Sequence, residues 1–387
     1  MKILYVHNEY AKPSGEEHAA RELVALLQEH GHEVQWFTRS SAEIEKSAFG
    51  KIKALFAGMY NPFAAQELAR VLDEYKPDVV QVQNLYPFLS SAIFKPMKKR
   101  GIPVVMRCPN YRLFCPKGLS LDPQGQVCER CWGGHEMHCI RLNCMGSRTK
   151  SMGYAARNAF GRLTKGILNG VGVFIVQSEF QKQKFVSQGI PEDKIGILPG
   201  ISPVICCGSA GALGEWVSFV GRVSAEKGIY EFIDAARCNP EIPFKVAGNF
   251  DANFKMPENL PDNIEFVGFK KGEELDRFYQ SSRIIVVPSK WYEGFPNVII
   301  RGMLHRKPII TTGIGAMLSI IDNQVNGLLV PPGDSVQLSE VIAKLYNDSE
   351  LCIQYGNNGY EKATTEYSRE RIYQQLIAIY YQAGVEQ

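Results

Sequence analysis

The sequence predicts an α/β protein built as two Rossmann-like domains, and three observations carry that expectation. At 387 residues the chain is longer than one hydrophobic core usually serves. Short apolar strands alternate with helical segments in two separate series, the pattern of parallel sheets covered on both faces. Between the series, near residue 200, runs PGISPVICCGSAGALG, rich in Pro, Gly and Ser and without periodicity, which reads as a linker.

The first series opens with KILYVH (2–7), a buried strand, then a turn-rich loop with Pro13, Ser14 and Gly15, then an amphipathic helix to about His30. Strands recur at HEVQWFT (32–38), PDVVQVQN (77–84), IPVVMRC (102–108) and VGVFIVQS (171–178), with the helix SSAIFKPMKKR between the third and fourth of the series. The second series begins at WVSFVGRV (216–223) and continues through PFKVAGN, NIEFVGF, RIIVVPS, KPIITTG and GLLVPP. YSRERIYQQLIAIYYQ (367–382) closes it as a terminal amphipathic helix. The expected domains are therefore 1–200, carrying a Cys-rich insertion at 108–150, then 201–366, with 367–387 packing back on the first.

Hydrophobic residues at 45% and charged residues at 21% match a packed globular protein and exclude a disordered or low-complexity chain. No apolar run approaches the roughly 18 residues of a membrane span, and the opening run is too short for a signal peptide, so a cytoplasmic location is expected. Charge is uneven. Residues 1–200 hold 26 Lys+Arg against 18 Asp+Glu, and the remainder 17 against 22. A basic first part suits an anionic headgroup surface or a pyrophosphate-bearing acceptor. Ten cysteines in a reducing compartment point to metal ligation before disulfides.

Two constellations carry chemistry. GRVSAEKG (221–228) follows a strand and precedes the helix IYEFIDAAR, so Arg222 and Lys227 stand where helix-end N–H groups already favour an anion and can neutralise a diphosphate. Ligands of open α/β sheets bind at such strand ends. In SKWYEGFPNVIIRGMLHRKPII (289–310), Glu293 precedes a tight turn at Gly294 and a helix beginning near Pro296. Its carboxylate can accept hydrogen bonds from sugar hydroxyls while the turn's N–H groups hold phosphate oxygens.

With these motifs in place, the second domain resembles glycosyltransferase family 4. FVGRVSAEKG, FVGF, VPSKWYEGFPNVI, KPIITT, NGLLVPPGD and YSRERI follow the family's order. MKILYVHNEYAKPSGEE, GHEV, SEFQKQKFVSQGIPEDKI and the LPGIS hinge extend the likeness over essentially the whole chain. The resemblance implies the GT-B fold, two Rossmann-like domains facing across a cleft. It also implies a sugar transferred from a nucleotide diphosphate-sugar with retention at the anomeric carbon and no obligatory metal. On that footing Arg222 and Lys227 would stabilise the departing diphosphate and Glu293 would hold the donor sugar. Backbone at Gly294, Phe295 and Asn297 would touch the diphosphate, and Gly15 would let its loop approach closely. The implied acceptor is a glycan or polyprenyl-diphosphate-linked sugar of the cell envelope.

The chain departs from the family at four positions. Arg301 stands where a second Glu usually accepts ribose hydroxyls, and Arg accepts no hydrogen bonds. Gln83 and Pro109 stand where His is common, and Ser319 replaces an acidic residue. An altered donor, with extra negative charge near the ribose and Arg301 beside it, accounts for the set. A non-catalytic sugar or nucleotide binder on the same fold is the alternative, followed by a nucleotide-sugar epimerase.

Within the insertion, Cys115-x12-Cys128-x2-Cys131-x12-Cys144 has the spacing of a structural zinc site, with Cys108, Cys139, His135 and His138 as spare ligands. Such a site would pin the loop of Asn110, Tyr111 and Arg112. AFGKIKALFAGMYNPF (48–63), with Lys95, Lys98, Lys99 and Arg100, reads as a surface that rests on an anionic membrane. A zinc-containing nucleic-acid binder would explain the cysteines and the basic half but not the second Rossmann series, and no nucleic-acid partner is expected.

Overall fold

The computed structural model describes residues 1–9, 15–41, 56–205, 213–252 and 254–386. It divides into two compact units: Met1–Pro123 with Cys128–Ile201 and Ile372–Gln387, and Ser202–Arg371 with Gln124–Val127.

The first unit is a six-stranded parallel sheet. Its strands are β1 (Lys2–Glu9), β2 (Glu33–Ser40), β3 (Val79–Asn84), β4 (Val104–Arg107), β5 (Val173–Val176) and β6 (Ile195–Ile197), in the order β2-β1-β3-β4-β5-β6. Residues of β3, β4 and β5 are buried throughout, as a sheet covered on both faces requires. Helices α1 (Gly15–Glu29), α2 (Pro62–Tyr75), α3 (Phe94–Lys99), α4 (Met137–Arg141), α5 (Arg148–Thr164), α6 (Gly166–Gly170) and α7 (Glu179–Ser187) complete it. β6 is absent from the expected strands: three residues, Ile-Gly-Ile, followed by Leu-Pro-Gly, give too short an apolar run to register as a period.

The second unit repeats the plan with β7 (Trp216–Val220), β8 (Phe244–Ala247), β9 (Ile264–Gly268), β10 (Ser282–Val287), β11 (Ile309–Thr312) and β12 (Gly327–Val330), ordered β12-β11-β10-β7-β8-β9 and parallel throughout. Its helices are α8 (Ile229–Cys238), α9 (Gly272–Ser281), α10 (Asn297–Leu304), α11 (Met317–Ile320), α12 (Ser335–Asn347) and α13 (Ser349–Glu366). The last helix, α14 (Arg369–Gln382), leaves the second unit and joins the first. There Ile372, Leu376, Ile377, Ile379 and Tyr380 pack with Ile3, Tyr5, Leu23, Leu27, Val105 and Ile175 in one core. Two parallel α/β units with terminal helices are the GT-B architecture. Among the described residues, no helix is long and apolar enough to cross a membrane.

Candidate functional site

The second unit holds a pocket of about 180 Å³ at the carboxyl ends of β7 and β10, lined by Gly221, Lys227, Ser289, Glu293, Phe295, Pro296 and Asn297 among others. Local sequence builds it. After β7, Gly221 has φ 144 and Ala225–Lys227 makes a single 3₁₀ turn ending at Gly228 with φ 78, directly before α8. That left-handed conformation favours glycine, and a Cβ at Gly228 would lie 1.9 Å from the Pro288 carbonyl oxygen. The Lys227 loop is thereby laid against the end of β10.

Glu293 is buried, and its Oε1 accepts three hydrogen bonds: from Lys227 Nζ at 2.6 Å, Ser289 Oγ at 2.7 Å and Trp291 Nε1 at 2.8 Å. Ser289 is itself buried, its carbonyl accepting from the Thr312 hydroxyl. Oε2 has no partner among the described residues. The carboxylate is thus oriented from three sides with one oxygen left for a ligand. Lys227 Nζ also stands 5.4 Å from the centroid of the Trp291 ring, leaving two of its three N–H groups uncommitted. Pro296 forms the N-cap of α10 and not its first turn, so free amides begin at Asn297. Phe295 packs edge-on against Tyr367 at 5.4 Å.

Lys227, Glu293, Phe295 and Asn297 therefore come together. Arg222, Gly294 and Arg301 are not among the residues that line this pocket. Arg222, nearly half exposed, gives its two Nη groups to Asp251 and Glu226. Arg301, expected beside the donor ribose, instead donates Nε to Asp276 at 2.9 Å. Asp276 is wholly buried and also meets His305 Nε2 at 3.1 Å, with Tyr279 stacked on the His305 ring. A buried carboxylate needs a cation, and Arg301 supplies it from the next helix. Gly15 opens α1 in the first unit. Sequence reasoning missed Ser289, Trp291 and Asp276. The first two could have been found, since Ser289-x-Trp291-x-Glu293 puts two donors within four residues of the acid.

Zinc finds no support: among the described residues no group of three or more His, Cys, Asp or Glu is arranged to hold a metal ion, although Cys131 feels the thiols of Cys115, Cys144 and Cys128 through space. They are free thiols. Cys131 and Cys139 form a small apolar core with Ala155, against which Ile140 and Cys144 rest. Burial, then neighbouring thiols, pushes Cys131 and Cys139 up to about 12.

The Asn110–Arg112 loop is held by other means. Tyr111 is buried beside Trp132 and Phe185. Arg112 Nη1 donates to Asn84 at 3.1 Å, and its carbonyl accepts from Asn158 at 2.8 Å. A second pocket of about 110 Å³ lies alongside, bounded by Tyr86, Arg112, Phe114, Asn158 and Arg162. Of the expected membrane segment, residues 48–55 lie outside the described residues. Phe56, Tyr60 and Phe63 are exposed, and Arg100 pairs with Asp73.

The comparisons with known proteins agree with this architecture. The family "Glycosyl transferase 4-like domain" matches residues 14–200 and "Glycosyl transferases group 1" matches 214–362. An uncharacterized 42.6 kDa protein in the cps region of Klebsiella pneumoniae is 26% identical over 281 residues, 71% of this chain and 68% of that one. The capsular polysaccharide biosynthesis glycosyltransferase CapM of Staphylococcus aureus is 28% identical over 42% of this chain and 45% of its own, so the match spans less than half of that relative. The crystal structure of Anabaena Alr3699/HepE in complex with UDP superposes with a TM-score of 0.64 at 17% identity, covering 98% of this chain and 99% of that one, a likeness of fold.

Proposed function

We infer that this chain, a GT-B-fold protein related to the group 1 and 4-like glycosyltransferases, is a retaining, hexosyltransferase-type enzyme that moves a sugar from a nucleotide diphosphate-sugar to a glycan or polyprenyl-diphosphate-linked acceptor in envelope polysaccharide assembly. The observation that carries this reading is the Lys227–Glu293 pair on the 180 Å³ pocket beside the first amides of α10.

The chemistry needs charge stabilised as it moves. The donor's anomeric C–O bond breaks, its electrons go to the diphosphate, and an acceptor hydroxyl oxygen bonds the anomeric carbon as its proton passes to the departing phosphate oxygen. Lys227 and the α10 amides are suited to receive that diphosphate, being fixed before it forms. Glu293 Oε2 is suited to a sugar hydroxyl. Arg222 would assist only by releasing one of its two carboxylates. Exposed Phe56, Tyr60 and Phe63 support contact with an anionic inner membrane face near a lipid-linked acceptor. Replacing Phe56 and Phe63 by Ser should release the protein from anionic vesicles at low salt; unchanged sedimentation would remove the membrane contact.

The test is a thermal-shift screen of nucleotide diphosphates and their sugars, since a ligand at 100 times its Kd stabilises by about 2.7 kcal/mol. At least one should raise the melting temperature. Lys227→Ala should weaken it by about 10- to 100-fold, the worth of one charged hydrogen bond. Glu293 keeps Ser289 and Trp291 in that variant, and its melting temperature without ligand separates lost binding from lost stability. No response from any nucleotide diphosphate would refute the reading. Binding without product across donors would favour the non-catalytic alternative, which Gln83, Pro109, Arg301 and Ser319 motivate.

A further inference from the structure

Among the described residues, three polar side chains on neighbouring strands of the first unit are buried with polar atoms that have no hydrogen-bond partner. His7 on β1, Gln83 on β3 and Arg107 on β4 are each 2% exposed. Both ring nitrogens of His7, both amide atoms of Gln83, and Nε and Nη1 of Arg107 are unpaired. They sit on adjacent strands, at the carboxyl ends, in the order β1-β3-β4. Gln83 and Arg107 extend the ladder one step beyond Val82↔Met106, and Gln83 is the extra residue where β3 bulges against β1.

Two of the three have a settled side of the sheet. His7 lies 6.3 Å from Trp36 and 3.8 Å from Glu17 of α1, too far for a hydrogen bond. Arg107 feels Tyr5 and Glu16 of α1 through space. Both therefore lie under the start of α1. The charge of Glu16 reaches Arg107 only through space, and Nε and Nη1 of the guanidinium have no hydrogen-bond partner. β1 is also the point from which the chain builds the sheet in both directions, toward β2 and toward β3, and such switch points are where open α/β sheets take ligands.

The six unpaired atoms have a definite chemistry. Arg107 offers two N–H donors and a permanent charge; Gln83 offers a donor and an acceptor. Burial holds His7 below its usual value, so it is neutral near pH 7 and offers one donor and one acceptor. Water can pair an amide or an imidazole, but it cannot neutralise a guanidinium.

We propose that His7, Gln83 and Arg107 form an oxyanion subsite in the first unit, which binds a carboxylate or phosphate carried next to a hydroxyl group. If its ligand is the acceptor, then the acceptor is acidic at the group bound there; that step rests on the transfer reading above, whereas the subsite does not.

Calorimetric titration of the full chain with glucuronate, glycerol phosphate and glucose tests it, with UDP titrated in parallel as an independent readout of the second unit. Saturable binding of glucuronate identifies a carboxylate as the ligand group, and that of glycerol phosphate a phosphate. Glucose should bind at least tenfold more weakly than the better anion. Arg107→Met should weaken that anion at least tenfold and leave UDP binding unchanged. Gln83→Glu puts a carboxylate on the strand next to Arg107, so it should expel the anion and raise the melting temperature; it serves even if Arg107→Met fails to fold. No saturable anion binding, equal binding of glucose, or anion binding unaltered in Gln83→Glu would overturn the proposal. Absence of UDP binding alone would instead count against the donor pocket.

Discussion

At the scale of single residues, what separates the candidate site residues is which charges are already paired. Lys227 and Glu293 satisfy each other and still keep free hydrogen-bonding capacity, whereas Arg301 spends its Nε on a carboxylate with no access to water. Arg301→Glu, which writes in the acid that the sequence resemblance leads one to expect there, should therefore not improve donor binding. It should strand Asp276 beside a like charge and cost about 3–5 kcal/mol in urea unfolding; a neutral or stabilising result would remove the structural role given to Arg301. The histidines make a pH prediction. Burial lowers His305 and His7 below the ordinary value of about 6.5, so the unfolded chain takes up protons first as pH falls. Stability should be full above about pH 6.5 and decline as pH drops toward the folded values. His305→Gln should flatten that slope between pH 7 and 5.5. Glu293 and Lys227 were legible in the sequence because glycines and strand ends flank them. The partner of Arg301 was not, because it lies 25 positions away on another helix and only tertiary packing brings it near.

Among elements, the loops after β7 and β10 carry the pocket, and two glycines set their shape. A Cβ at Gly248 would fall 1.7 Å from the Gly221 carbonyl oxygen, and one at Gly228 1.9 Å from that of Pro288. Gly228→Ala should cost about 3 kcal/mol or more, through left-handed strain and the clash together, and should also reduce nucleotide diphosphate affinity by moving Lys227. Equal affinity in a folded Gly228→Ala protein would show that the loop is not held this way. All six strands of the second unit could be read from their apolar runs, while β6 could not, being only three residues long. The Cys-rich insertion was legible as a cluster, since Cys131 feels Cys115, Cys144 and Cys128 through space; that Cys131 and Cys139 also pack against Ala155 is a matter spacing does not encode.

For the molecule as a whole, α14 is the element on which most depends. It fills the first unit's core with Ile372, Leu376, Ile379 and Tyr380, and Tyr380 donates to Gln81, whose amide in turn donates to Tyr5. At Gly196 of β6 it lies close enough that a Cβ would meet Ile379 at 2.7 Å. Deleting everything after Arg371 should leave 202–371 resistant to protease and the first unit digestible; an undiminished first unit would contradict the packing. The arrangement also has a consequence for biosynthesis. A ribosome makes this chain from residue 1 onward, and domains ordinarily fold in that order. Here the polypeptide that seals the earlier half is made only after the later half is finished. Nascent chains should thus carry the leading half unsealed through most of translation, with its apolar floor open to chaperones, while the trailing half can settle first.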